Sequence, residues 1–451
     1  MPLVTPSRRR LLQFAGATAL APALTGAKPA GVIGRVLAVS DMHSAYERTA
    51  QLLAAFETEV RSHTAPHVIA INGDIFEHGN AVAVRSGGAV DWAFLAALPA
   101  IAPTVFNLGN HDNDLTPDLA AVVARLKGLG IEVVSTIGDT RTGSGYGDAS
   151  TTLPFGRRSL RVVGMATNAL ATYPKASRQQ LAIPAAATWA AGNLADTLAG
   201  ADLVMIMSHA GVTEDRAILP LLPDGSLMVG GHNHLLFQHR QGRSAYVHTG
   251  SWSAAYTAAE FLSDGSVTAC SRAVARDGPA SPALADLIAA TLAASLSQEE
   301  RSVLGNSPRA LSLGDTGRRV AAGLAHAAGA DAGFIGHTTL GTGVPAGPVS
   351  RYDFDSVVRF DGQLMIATVS RTQLERVMAR ANQDRAMPLA DRSGDFLYAA
   401  TGSSRADPVR IATTDWCATN QEEYFGMTDL RFEPIADTTV KRAAAAALLE
   451  R

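Results

Sequence analysis

Five short polar motifs, each at or near the end of an apolar run, constrain what this chain can fold into. In chain order they are Asp41-Met42-His43, Gly73-Asp74, Gly109-Asn110-His111-Asp112, Ser208-His209 and Gly230-Gly231-His232-Asn233-His234. The apolar runs before them have the length expected of buried strands. Because sites in open α/β sheets form beyond the carboxyl ends of the strands, we expect these motifs to meet at one sheet edge.

Short apolar runs alternate with longer stretches of helical spacing, which is typical of an α/β domain. The predicted strands are Val32–Ser40, His67–Asn72, Thr104–Leu108, Ile131–Val134, Leu160–Gly164, Asp202–Met207, Leu227–Val229 and Tyr246–Thr249. The predicted helices of this part are Ala45–His63, Asp91–Ile101, Thr116–Leu129 and Ala185–Leu198.

The length of 451 residues exceeds what one core usually organises and predicts two domains. We place the first at residues 31–278, a linker helix at 279–300 around Pro282–Leu296, and the second domain at 301–451. A net charge of −3 gives no basic footprint for nucleic acid. No run of 18 apolar residues follows the N-terminus, so we expect no stable membrane insertion.

Residues 1–27 have the pattern of an export signal. Arg8, Arg9 and Arg10 precede an alanine-rich apolar segment from Phe14 to Leu24, which resembles a bacterial twin-arginine signal. We therefore expect the twin-arginine export machinery as a partner and a periplasmic or secreted protein. An ordinary secretory signal or a basic tail is the alternative.

Only two cysteines, Cys270 and Cys417, occur in the chain. This number excludes a disulfide framework. We expect two unpaired, mostly buried thiols, with a single bridge between the domains as the alternative.

Each polar motif alone is more often a turn residue or a helix cap than a ligand. Their joint order resembles that of the metallophosphoesterase superfamily, and the resemblance implies a four-layer αββα first domain with two divalent metal ions. Mixed carboxylate, imidazole and amide ligands suit Mn, Zn, Fe or Co. Asp74 would bridge the two ions, and the remaining ligands would be Asp41, His43 and His234 for one ion and Asn110, His209 and His232 for the other.

In this family, a water between the metals becomes a hydroxide near neutral pH and attacks phosphorus. His111 would then stabilise the transition state or protonate the leaving group, with Asp114 holding its imidazole. The alternative is that Asp112 or Asp114 caps the helix expected near Pro117. For Asp112 we predict the cap.

After residue 300 the chain resembles the C-terminal domain of the 5′-nucleotidase family, which implies a smaller α+β domain. The similar segments are Arg301–Gly305, Ala330–Phe334, Val344–Val349, Val357–Phe360 and Arg410–Trp416. In that family, two aromatic rings stack on the nucleobase, and the matching residues here are Phe360 and Trp416. Burial of both rings in the core is the alternative.

The chain departs from the family where an arginine loop would hold the substrate. The segment Gly336–Gly341 places Gly341 at the arginine position, and Thr419–Glu423 replaces a glycine-rich loop. Arg309, Arg318 and Arg319 lie near another arginine of the family but out of register.

We therefore predict a secreted dinuclear-metal phosphomonoesterase of the 5′-nucleotidase type, which hydrolyses nucleoside 5′-monophosphates or a similar small phosphate ester. One alternative is a phosphodiesterase, a nucleotide-sugar pyrophosphatase or a thiosulfohydrolase with the same metal site. Another is a non-catalytic binding protein. The residues do not predict the oligomeric state.

Overall fold

The computed structural model of the protein describes residues 30–402 and 407–450. The predicted export signal at residues 1–27 lies outside the described residues. Among the residues described, no helix is both long enough and apolar enough to cross a membrane.

The first sheet has six strands and carries three of the five polar motifs. In spatial order its strands are Val267–Ala273, Ala255–Leu262, Val32–Val39, His67–Asn72, Thr104–Asn107 and Glu132–Val134. The last four are parallel to one another, and the first two are antiparallel additions. Every residue of His67–Asn72 is buried, as expected for a central parallel strand covered on both faces. Four helices connect these strands, at Tyr46–Ser62, Ala81–Ser86, Ala89–Ile101 and Leu119–Gly128.

The second sheet also has six strands and carries the other two motifs. In spatial order its strands are Leu236–Gln241, Ser244–Thr249, Leu227–Gly230, Leu203–His209, Arg158–Ala166 and Ser150–Phe155. The four middle strands are parallel and the two edge strands antiparallel. The helices Ala186–Thr197 and Val212–Ile218 belong to this half.

The two sheets pack face to face through an apolar core, with the helices on their outer faces. Val36 and Val68 of the first sheet meet Val162 and Met205 of the second in one buried cluster. Phe155 closes one end of this cluster with its ring edge-on to Phe261, at a centroid distance of 5.7 Å. The predicted four-layer αββα arrangement is confirmed.

The helix Pro282–Ser295 occupies the predicted linker and packs on the first domain through Leu284 and Ile288. The second domain contains a five-stranded sheet and a two-stranded ribbon, with helices on both faces of the sheet, so the predicted smaller α+β domain is confirmed. The five strands are Leu397–Thr401, Ala332–Gly336, Val409–Thr414, Gln363–Val369 and Glu433–Thr439, and the ribbon pairs Val303–Ser307 with Gly347–Ser350. The helices are Gln298–Arg301, Leu313–Ala328, Arg351–Val357, Arg371–Arg380, Asp415–Thr419, Gln421–Phe425 and Val440–Leu448.

The two domains share an apolar cluster, in which Tyr246 of the first domain joins Ile335 and Phe396 of the second. His337 adds polar contacts, because its ring nitrogens lie 2.6 Å from the Asn233 carbonyl and 3.1 Å from the Phe396 carbonyl. The second domain therefore packs directly beside the motif that contains His232 and His234.

Both cysteines are unpaired thiols. The prediction of burial is confirmed for Cys417 but wrong for Cys270, which is exposed. Cys270 lies on Val267–Ala273, an edge strand of the first sheet with several exposed positions. The sequence pattern of a strand does not reveal that it lies at the edge of a sheet.

Candidate metal centre

The seven predicted ligands converge at the carboxyl ends of strands from both sheets. Asp41, Asp74 and Asn110 follow strands of the first sheet, whereas His209 ends a strand of the second sheet. The short loop after Leu227–Gly230 supplies His232 and His234. Six of these side chains form two groups that could each hold a metal ion, one of Asp41, His43 and His234 and one of Asp74, His209 and His232.

The backbone at most of these residues is in the left-handed region, which non-glycine residues seldom adopt. Five of the seven have a positive φ: Asp41 (54°), His43 (49°), Asp74 (55°), His232 (75°) and His234 (55°). Such conformations cost free energy and persist where the surrounding structure requires them, commonly at functional sites. These five residues lie in the loops whose side chains form the two groups.

The first cluster contains Asp41, His43 and His234. The Nε2 atoms of the two histidines lie 2.9 Å apart, and Asp41 Oδ1 lies 3.7 Å from His234 Nε2. Two ring nitrogens bound to one ion at about 2.1 Å each would be separated by roughly 3 Å when the N–metal–N angle is near 90°. The observed spacing therefore fits joint ligation of one cation.

The second cluster contains Asp74, His209, His232 and the predicted amide ligand Asn110. Asp74 Oδ2 lies 3.1 Å from His209 Nε2, and Asn110 Oδ1 lies 2.8 Å from His232 Nδ1. The same Asp74 oxygen is 3.9 Å from His43 Nε2 of the first cluster. Asp74 thus stands between the clusters, where a bridging carboxylate would be.

The donor atoms fit divalent cations. The Nε2 of His209, one of the predicted donor atoms, is buried and makes no hydrogen bond. The Nδ1 of His209 lies 2.7 Å from the carbonyl oxygen of Asn72, which orients the ring as the second nitrogen of a metal-bound histidine is usually oriented. A buried polar atom without a partner is costly, and a bound cation would remove that cost.

The charges of the clusters also fit cations. Burial lowers the pKa of His43 to about 4 and that of His232 to about 3, so both rings are neutral at pH 7 and offer lone pairs. Burial alone would also lower the pKa of His209, but Asp74 and Asp41 outweigh it and raise that pKa to about 10. His209 therefore carries a proton whose charge a metal ion would replace.

His111 lies at the edge of this centre, and Asp114 contacts its ring as predicted. Asp114 Oδ2 is 2.9 Å from His111 Nδ1, while the backbone N–H of His111 donates to Asp74 Oδ1 at 2.7 Å. Burial opposes the charged imidazole, but Asp74 and Asp114 outweigh burial and raise the pKa of His111 to about 9. The ring is therefore protonated at neutral pH and can donate a proton.

The prediction that Asp112 caps a helix is wrong. The helix begins at Leu119 and its cap is Asp118, whose side chain accepts from the N–H of Ala120. Asp112 is buried, and its carboxylate accepts from the N–H groups of Ile75 at 3.0 Å and Gly109 at 2.6 Å. It joins the loop after the second strand to the loop after the third, a tertiary role that local sequence does not show.

A cavity of about 550 Å³ opens onto the centre between the two domains. Its first-domain wall includes Asp74, His111, His232 and His234. Its second-domain wall includes Phe360 and Trp416, which are 48% and 53% exposed. The alternative that these two rings belong to the core is thereby wrong.

The 5′-nucleotidase pattern has an arginine at the position of Gly341, and the structure explains why this chain has none there. A Cβ at this position would lie 2.4 Å from the Trp252 ring and 2.5 Å from the Ser356 carbonyl oxygen, so no side chain fits. Arg318 is engaged elsewhere, in an ion pair with Asp384 at 2.9 Å. In the replaced loop, Thr419 contributes to the cavity wall.

Several residues at the site were not predicted. Arg359 lines the cavity, pairs with Glu77 of the first domain and lies over the Trp252 ring. Asp395 also lines the cavity and accepts from Asn233 Nδ2 at 3.1 Å. A signal for Arg359 was present, because it occupies the proline position of the V-x-P-F element beside Phe360.

Residues 34–236, which contain all seven predicted ligands, match the family model of calcineurin-like phosphoesterases. This segment is a calcineurin-like phosphoesterase domain. The protein therefore carries the domain of a metal-dependent phosphoester hydrolase, with two candidate metal-ligand clusters. No curated protein matches the chain in sequence.

Solved structures with the same fold cover nearly the whole chain. A 5′-nucleotidase precursor from Thermus thermophilus has 15% identity and a TM-score of 0.59, with 92% of this chain and 96% of that one covered. The sulfate thiohydrolase SoxB from the same organism has 15% identity and a TM-score of 0.60, with 93% and 94% covered. A 5′-nucleotidase from Candida albicans has 11% identity and a TM-score of 0.58, with 92% and 97% covered. The chain thus shares the two-domain fold of these structures.

We expect Asp74→Asn to reduce the bound metal from two ions per chain to one or none, since the amide loses the charge and one of the two anionic oxygens. Elemental analysis after dialysis measures this directly. Addition of Mn²⁺ or Zn²⁺ should also raise the Tm of the wild type by more than that of the variant. Asp224→Asn, at an exposed ion pair with Arg243, is the matched control and should behave as the wild type. Two ions retained in Asp74→Asn would contradict the bridging role.

Proposed function

We propose that the protein is an exported, metal-dependent phosphomonoesterase of the 5′-nucleotidase type. Its substrate in this proposal is a nucleoside 5′-monophosphate or a similar small ester. The observation that carries the proposal is the single cavity in which both candidate metal clusters face Phe360 and Trp416.

The metal ions, when bound, supply positive charge for the phosphoryl oxygens and activate the attacking water. The chain's own residues would hold and orient the rest of the reacting groups. His111, protonated and held by Asp114, donates a hydrogen bond or a proton to the leaving oxygen.

The aromatic residues support a planar leaving group. Among the described residues, Phe360 and Trp416 are the two aromatic members of the exposed large hydrophobic side chains, and both line this cavity. The Trp416 indole N–H lies 3.3 Å from the Tyr424 hydroxyl oxygen, which helps to orient its ring. A nucleobase placed on such rings gains about 1–3 kcal/mol per stack.

The charges of the cavity wall support the proposal that the leaving group carries no second phosphate. Beyond the metal ligands, its described wall carries the carboxylates Asp361, Asp395 and Asp415 against two cationic groups, the Arg359 guanidinium and the protonated His111 ring. Arg359 is already paired with Glu77. A nucleotide sugar or dinucleotide would bring another anionic phosphate against this wall, so a monoester with a neutral leaving group is favoured over a pyrophosphate.

The export part of the proposal is supported by the paired arginines and the apolar segment within residues 1–27. An export route for folded proteins would allow metal loading before translocation.

Phosphate release from a panel of substrates tests the activity. We expect the protein loaded with Mn, Zn, Co or Fe to hydrolyse AMP fastest and UDP-glucose slowest, with sugar phosphates and cyclic nucleotides between them. Faster cleavage of a cyclic nucleotide or UDP-glucose would favour the diesterase or pyrophosphatase alternative, and turnover of a thiosulfonate alone would favour the thiosulfohydrolase. No turnover with any metal would indicate a binding protein.

Asp114→Asn should move the alkaline limb of the pH–rate profile to lower pH. The carboxylate raises the pKa of His111, and the proton donor is lost as the pH rises through that pKa. The shift should be clear with AMP and weak with p-nitrophenyl phosphate, whose leaving group needs no proton. Asp118→Asn, at the nearby helix cap, is the matched control and should leave the limb in place. An unchanged limb in Asp114→Asn would exclude the proposed role of His111 as the acid.

Phe360→Ala should raise KM for AMP by roughly 5- to 150-fold, which corresponds to one stack of about 1–3 kcal/mol. KM for ribose 5-phosphate, which has the sugar and phosphate but no base, should change little. Steady-state kinetics on both substrates measure the difference. Equal increases for the two substrates would show that Phe360 does not contact the base.

A further inference from the structure

Arg359 of the second domain contacts Glu77 and Trp252, and both of these residues lie against the metal-ligand candidate His43. One guanidinium nitrogen donates to Glu77, and the other donates to the Thr338 carbonyl oxygen at 3.1 Å. The guanidinium lies 4.7 Å from the ring centroid of Trp252 and 4.7 Å from that of Phe360. The side chain is only 5% exposed, so its position is well defined.

Glu77 connects Arg359 to the first metal cluster. Its Oε2, which accepts from Arg359, lies 3.4 Å from His43 Nδ1. The opposite ring nitrogen of His43 faces His234 Nε2 at 2.9 Å. A carboxylate at the outer nitrogen of a metal-bound histidine holds the ring orientation and increases its basicity.

Trp252 restrains the same histidine from a second side. Its ring stacks on His43 with a centroid distance of 5.2 Å and an interplanar angle of 26°. Arg359 contacts this ring as well, and Gly341 of the second domain lies against its edge. The second domain therefore reaches His43 through both of its neighbours, Glu77 and Trp252.

The second metal cluster has a different support. The Nδ1 of His209 faces the Asn72 carbonyl oxygen, and Asn72 belongs to the first domain. Neither His209 nor Asn72 has a described hydrogen bond to Arg359 or Glu77. The two clusters thus differ in their dependence on the pair of Arg359 and Glu77.

We propose that Glu77 is a positioning residue for His43 and that Arg359 holds Glu77, so that this contact from the second domain sets the affinity of the first metal cluster and not that of the second. The proposal rests on the metal centre of the proposed function, but not on the identity of the substrate. The planar guanidinium of Arg359 donates hydrogen bonds from two of its nitrogens and stacks on the Trp252 ring. A lysine reproduces neither interaction.

Metal retention tests the proposal without any measurement of activity. The full-length protein is loaded with Co²⁺ and dialysed against increasing concentrations of a chelator, and bound cobalt per chain is measured. We expect Glu77→Gln to lose one ion at about 10- to 100-fold lower chelator concentration than the wild type and to retain the other normally. Arg359→Lys, which keeps the charge, should weaken the same ion by a smaller factor.

Two further variants make the result decisive. Glu59→Gln is the matched control, because Glu59 is also a buried glutamate with arginine partners, Arg35 and Arg272, but does not contact the metal clusters. It should retain both ions as the wild type does. The double variant E77Q/R359Q leaves no unpaired buried charge, so it carries the test if E77Q does not fold, and it should also lose one ion at about 10- to 100-fold lower chelator concentration than the wild type.

Loss of both ions together in E77Q, or retention of both, would overturn the proposal. If Arg359→Lys retained both ions at the same chelator concentrations as the wild type, the role assigned to the second domain would be overturned. If the wild type binds two ions but cleaves no phosphate ester, the proposed function fails and this inference still stands or falls on the cobalt measurement.

Discussion

The placement of Asp74 is the constraint on which the rest of the centre depends. Its carboxylate faces His209 with one oxygen and accepts from the N–H of His111 with the other. Although burial opposes ionisation, His209, His111 and His43 hold the pKa of Asp74 well below its usual range. The residue can take this position because its own backbone is left-handed and because Gly109 has no Cβ, which would lie 2.3 Å from Asp74 Oδ1.

The second domain supplies charged groups and aromatic rings to the cavity wall, whereas the metal-ligand candidates all belong to the first domain. At Gly341, where the family pattern has an arginine, the Trp252 ring occupies the space, and Arg359 lies against that ring from the following segment. The Arg359 guanidinium thus keeps a positive charge near the metal centre. It pairs with Glu77 and does not point into the open cavity. The cavity beyond it includes the carboxylates Asp361, Asp395 and Asp415 and the aromatic rings of Phe360 and Trp416 in its wall. This combination is the basis of our proposal that the leaving group is neutral and planar.

Secondary structure was predicted correctly from the local sequence pattern where burial of apolar side chains determines that pattern. The buried parallel strands and the four longer helices between them were predicted within a few residues, because continuous apolar runs and helical spacing report burial directly. The short helices Ala81–Ser86 and Val212–Ile218 were not predicted. The edge strands Ser150–Phe155 and Leu236–Gln241 and the added strand Ala255–Leu262 were not predicted. Their side chains are mixed in character, and their pairing is defined only by the neighbouring strand. Cys270 and Asp112 were misjudged for the same reason, since sheet edge and loop-to-loop contact are tertiary properties.

The sequence by itself determined the chemical class of the protein. The types and order of the ligand motifs resemble the metallophosphoesterase superfamily, which implies two metal ions, and parallel strands bring the motifs to one edge of the sheet whatever the loops do elsewhere. Only the tertiary structure decided how the centre is completed. The left-handed loops, the stack of Trp252 on His43 and the contact of Arg359 with Glu77 join residues far apart in the chain. Such contacts depend on how two domains pack, and no local pattern in either domain encodes that packing.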